Sequence, residues 1–138
     1  MGKIAAVGVL ITCFAGVANA SDDNLELGQR EYINSCAVCH GRDGKAQSRT
    51  VDPLKVAPSD LTQLSKKNAG VFPTARIYET LDGRLSVTAH GSREMPIWGQ
   101  IYTLQAAAKS DNPYVTESLV RTRILALIDF LYQLQEKP

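Results

Sequence analysis

Between Val120 and Leu134 the apolar positions recur at steps of three and four: Val120, Ile124, Leu127, Leu131 and Leu134, with Ile128 widening the stripe. That spacing predicts a long amphipathic helix with one face on a core, and Arg121 and Arg123 fall off the stripe. Near the other end, Asp23 precedes Leu25 and Glu26 follows three residues later, which predicts a capping box. The helix it opens would carry Leu25, Gly28, Tyr32 and Ile33 and run to about Ala37. Pro73 starts a further helix, Thr74 to Leu81, with Ile77, Tyr78 and Leu81 at helical spacing and Asp82-Gly83 as its stop. One or two helical turns fit Asp60 to Lys67, and a short helix fits the stretch through Tyr102 and Leu104. Gly41 to Pro58 and Val87 to Gly99 read as loops, and Lys109 to Pro113 as a polar connection. No segment alternates cleanly enough for a strand. The expectation is an all-α fold whose long loops need something besides side chains to wrap, since structureless loops beyond about 12–15 residues are uncommon in small domains.

Residues 1–20, MGKIAAVGVLITCFAGVANA, carry Lys3 as their one charge, then an apolar run to Val17, then Ala18-Asn19-Ala20. This is the pattern of a cleaved secretory signal, and the run is shorter than the roughly 20 residues of a spanning helix. An uncleaved anchor, or a lipoprotein signal at Cys13, are the alternatives. Residues 21–138 then form one domain. Without the leader, Lys3 and Cys13 are lost, the formal charge falls from +1 to zero, and Cys36 and Cys39 are the remaining cysteines. In an oxidising compartment such a pair must be a disulfide, a metal site or an attachment point.

Composition narrows the field. The chain has 138 residues, 44% hydrophobic and 21% charged, which suits a single globular domain. The charge excludes a basic nucleic-acid footprint as the default. Two histidines and no Gly-rich phosphate loop leave most enzyme classes without their parts.

Cys36-Ala37-Val38-Cys39-His40 is a CxxCH segment, the signature of c-type haem attachment. On a helical turn the two thiols share a face and can each bond a haem vinyl group, while the adjacent His40 offers Nε2 to the iron. A zinc site would need both Cys39 and the neighbouring His40, with His90 as fourth ligand, an awkward tetrahedron. A thioredoxin-like pair opens a helix in a βαβ setting, whereas this one ends a helix. A disulfide across two residues is strained. The sixth iron ligand is read as Met95, in Glu94-Met95-Pro96-Ile97-Trp98-Gly99, where the proline stiffens the loop; His90 is the rival, and a core gap-filler is the bland role for Met95.

These residues resemble the class I c-type cytochromes, small monohaem electron carriers. Cys36-Ala37-Val38-Cys39-His40-Gly41 and Met95-Pro96-Ile97-Trp98-Gly99 look like that family's two haem motifs. Gly28 and Tyr32 on the first helix, with Phe130 and Leu131 on the last, resemble its helix-crossing residues. The resemblance implies N- and C-terminal helices that cross, with loops around one covalent haem c. It also implies a backbone carbonyl on the Nδ1–H of the proximal histidine, here from Pro58 in preference to Pro53. Trp98, Tyr102, Arg84 and Arg93 are candidate donors to the haem propionates.

The expected function is a non-enzymatic one: single-electron transfer in the periplasm or another exported location, by a monomer that docks redox proteins and binds no nucleic acid. Two alternatives stand beside it. One is an electron-accepting subunit of a periplasmic or membrane-bound dehydrogenase or oxidase. The other is a haem-based binder or sensor of small ligands, if the sixth site is open.

Overall fold

The structure is a computed structural model, and it describes residues 20–46, 57–83 and 95–136. Among these residues there are helices and no strands, so the fold is all-α. Among the described residues five α-helices occur in chain order: α1 (Ala20–Ser35), α2 (Ala37–His40), α3 (Thr74–Asp82), α4 (Trp98–Ala107) and α5 (Pro113–Gln133). Among the described residues, two short 3₁₀ turns, Leu61–Gln63 and Lys66–Asn68, lie between α2 and α3. Of the expected leader 1–20, residues 1–19 fall outside the described residues.

The ends of the helices follow from local chemistry. Asn112 caps α5 by accepting a hydrogen bond from the Tyr114 N–H, and Pro113 takes the first position, where no donor is needed. Gly83, with φ of 94°, closes α3 as the Asp82-Gly83 stop predicted. Three boundaries differ from the sequence reading. Helix α1 already includes Ala20, the first described residue, so Asp22 and Asp23 lie inside the helix and Asp23 opens no capping box. A cap and a first-turn acid are both favoured by the partial positive charge at the helix start, so the sequence signal for one mimics the other. Helix α1 also stops at Ser35, and the CxxCH segment continues on the separate α2. Trp98 and Gly99, expected in a loop, begin α4, where Gly99 packs against the Asp82 backbone at the end of α3.

The core is the predicted α5 stripe meeting α1 and α4. Ile124, Leu127, Ile128 and Leu131 are buried, with Tyr32 from α1 and Tyr102 from α4 between them. Helix α1 crosses α5 at Gly28. A β-carbon there would lie 2.0 Å from the Ala126 carbonyl oxygen and 3.0 Å from the Phe130 β-carbon, so only glycine admits the crossing. One turn on, the Tyr32 and Phe130 rings meet with centroids 5.2 Å apart. The same crossing is pinned by charge. Arg123 forks onto Glu31 with two 2.8 Å hydrogen bonds, reaches Gln105 at 2.7 Å, and lays its guanidinium 3.8 Å above the Tyr102 ring. One arginine thus ties α1, α4 and α5 together.

Candidate functional site

Cys36 occupies the bend between α1 and α2. Its N–H bonds the Tyr32 carbonyl of α1, and its own carbonyl accepts from the N–H groups of Cys39 and His40. The helical ladder therefore runs from the core helix into the motif and sets both cysteines and the histidine on one turn. Cys36 is buried within the core cluster, while Cys39 and His40 are half-buried and the intervening Val38 faces solvent. Gly41 follows with φ of 76°, which lets the chain reverse at once beneath the histidine. The reversal is held by the Tyr32 hydroxyl, which donates to the Gly41 carbonyl at 2.6 Å, and by the Ala46 N–H on the His40 carbonyl at 2.8 Å.

His40 Nδ1 lies 2.9 Å from the Ser59 carbonyl oxygen. A carbonyl only accepts, so the bond requires the hydrogen on Nδ1 and leaves the Nε2 lone pair as the ring's free donor atom. Burial holds the His40 pKa below its ordinary value, partly offset by the Ser59 bond, so the ring stays neutral. Both conditions suit a metal ligand. The sequence reading put this carbonyl at Pro58; the structure puts it one residue later. Asp60 caps the 3₁₀ turn Leu61–Gln63 by accepting from the Thr62 N–H, and the Ser59 carbonyl lies just ahead of that cap, outside the turn.

Burial, together with the charges of Glu31 and Cys39, pushes the Cys36 thiol up to about 12. A thiol so held is protonated at neutral pH, unlike the low-pKa nucleophile of a redox pair. Among the described residues no cluster of three or more His, Cys, Asp or Glu converges as a site for a metal ion. The donor set is instead two thiols and one neutral imidazole on a single turn, which is the set a covalently attached haem takes, so the residues present fit that group.

Met95 is half-buried against the same hydrophobic core that holds Cys36, just before α4. Trp98 packs on Tyr102 with centroids 6.1 Å apart. The Tyr102 hydroxyl is buried and has no hydrogen-bond partner among the described residues. Burial, then the nearby charge of Glu31, raises its pKa. Pro53, Arg84, His90 and Arg93 lie outside the described residues. A separate cleft of about 550 Å³, lined by Tyr78, Asp82, Thr103, Glu117 and Arg121 among others, includes none of the predicted site residues.

Four contributors escaped the sequence reading. Ser59 acts through its backbone, which leaves no side-chain signal. Glu31 and Arg123 are far apart in the chain, and neither stands out locally. Gln135 joins the turn after Ser59 to the end of α5, as described below. No protein-family model, curated protein or solved structure matches the chain.

Proposed function

We propose that this chain is an exported monohaem c-type cytochrome that carries single electrons between redox proteins and makes or breaks no substrate bond. The observation that carries the reading is His40: a neutral imidazole, Nδ1–H on the Ser59 carbonyl, directly after two thiols on one turn. Cys36 and Cys39 would hold haem c by thioether bonds, His40 Nε2 would ligate its iron, and Met95 would supply the sixth ligand. When bound, the haem supplies an iron that takes up and releases one electron. The Ser59 carbonyl keeps the His40 ring oriented and raises its donor strength. A thioether ligand favours a higher potential than a second imidazole would. The Tyr102 O–H is buried beside the Glu31 carboxylate, and burial raises its pKa, so it stays protonated as a donor at neutral pH. Cys36 lies in the packed core and Met95 packs against it, so the surrounding side chains hold both in place. The leader 1–20 supports export, since haem attachment to a CxxCH segment and a signal of this pattern fit one exported protein.

The test is the visible spectrum of the haem-loaded protein, oxidised and reduced, with carbon monoxide added to the reduced form. A methionine-to-ferric-iron band that disappears in Met95→Ala, and no carbon monoxide shift in the wild type, are expected. Carbon monoxide binding to the wild type, with no such band, would replace the carrier by a small-ligand binder. A chain that acquires no covalent haem during export would overturn both.

A further inference from the structure

Gln135 follows α5 near the end of the chain, yet its side chain reaches back 70 residues. Its Nε2 donates to the carbonyls of Leu61 and Leu131, each at 2.8 Å, and its Oε1 accepts from the Ser65 N–H at 2.9 Å. Both faces of the amide are used, and reversing it would set oxygen against two carbonyls, so one orientation satisfies all three bonds. The next residue adds a fourth tie, Glu136 N–H to the Thr62 carbonyl at 2.9 Å, and its carboxylate pairs with Lys45 at 3.4 Å. The Leu61 N–H in turn bonds the Gly44 carbonyl at 2.8 Å, in the reversal that follows His40. The 3₁₀ turn Leu61–Gln63 is thus gripped from the end of α5 on one side and from the His40 reversal on the other. Ser59, whose carbonyl meets His40 Nδ1, stands two residues before that turn.

We propose that Gln135 is a positioning residue for His40: it fixes the Leu61–Ser65 backbone and thereby aims the Ser59 carbonyl at the imidazole. The inference rests on the reading of His40 as an iron ligand only for its effect on potential; its effect on the imidazole hydrogen bond stands without it. Loss of the clasp leaves Ser59 on a chain anchored at fewer points, and the Nδ1–H bond opens more often. A weaker bond makes His40 a poorer donor, which destabilises the oxidised iron and raises the potential.

The experiment compares wild type, Gln135→Ala, Gln135→Glu and, as a control, Asn24→Ala, which removes an α1–α5 hydrogen bond to Asp129 remote from His40. Two quantities are read on the full chain carrying haem: the solvent exchange of the His40 Nδ1–H by NMR in the reduced form, and the reduction potential. Both Gln135 variants should speed exchange by about fivefold or more, the factor that loss of roughly one hydrogen bond implies, and shift the potential upward. Asn24→Ala should leave both at the wild-type value. Gln135→Glu is nearly isosteric and keeps the Ser65 bond, so it carries the test if Gln135→Ala does not fold. Lower thermal stability with unchanged exchange and potential would overturn the proposal and leave Gln135 a purely structural clamp. A wild type that takes up no haem would overturn the functional reading, and exchange in the haem-free chain would still decide the role of Gln135.

Discussion

Gly28→Ala tests the fold at its narrowest point, because two physical effects predict opposite signs. Replacing glycine by alanine inside a helix ordinarily stabilises by about 1 kcal/mol. Here the new β-carbon would meet the Ala126 carbonyl oxygen at 2.0 Å and its carbon at 2.6 Å. The obstacle is backbone, so no side-chain rotation relieves it. Reaching even the 3.0 Å that real β-carbons respect requires α1 and α5 to part by about 1 Å. A gap of ~0.5–1 Å forfeits about a quarter to a half of each dispersion contact across it. The contacts at stake include Tyr32, Ile124 and Leu127, all fully buried. Overpacking of this kind costs about 1–3 kcal/mol, and the rigid partner points to the upper end. Subtracting the propensity gain leaves a net loss of about 2 kcal/mol. For a domain of this size that lowers Tm by roughly 8 °C. The assay is thermal and urea unfolding of wild type and variant followed by circular dichroism, with the urea slope checked for constancy. An unchanged or raised Tm would refute the close crossing and show that α1 and α5 do not meet at Gly28.

Three other predictions concern separate parts of the molecule. Denaturing mass spectrometry should find covalent haem on the exported wild type, on Cys36→Ala and Cys39→Ala in lower yield through one thioether each, and on the double variant not at all. Arg123→Lys should lose about 1–2 kcal/mol despite keeping the charge, because an ammonium cannot reproduce the forked contact with Glu31 and the stack on Tyr102; a double-mutant cycle with Glu31→Gln measures the coupling. Asp60 is held below the ordinary carboxyl value of 3.8 by its hydrogen bonds from the Thr62 hydroxyl and N–H. A carboxyl lowered in the folded state contributes stability at neutral pH and loses it as pH falls through that lowered value. Asp60→Ala should therefore cost roughly 1 kcal/mol at pH 7, the ordinary worth of an exposed cap, and the gap to wild type should close on acidification below 3.8, as denaturation at the two pH values will show.

The α5 stripe, the α3 stop at Gly83 and the Cys36–His40 motif were legible in the sequence because each is a local rule. Apolar spacing decides which face of a helix is buried, glycine decides where the chain can turn left-handed, and fixed offsets decide which side chains share a turn. The crossing at Gly28 and Tyr32 was legible as well, though only through resemblance, since nothing local says which glycine marks a close approach. Other features depended on residues brought together from far along the chain. The carbonyl on His40 belongs to Ser59, just ahead of the Asp60 cap, and not to the adjacent Pro58. Arg123 meets Glu31 across 92 positions and Gln135 meets Ser65 across 70, and neither pairing leaves a periodic trace. The sequence alone determined which elements form and which side chains are candidates for the site, because propensity, patterning and motif spacing act within a turn or two. Only the tertiary structure decided which backbone atoms and distant partners hold those side chains in place, because hydrogen bonds and ion pairs are made in space, where separation along the chain has no bearing on distance.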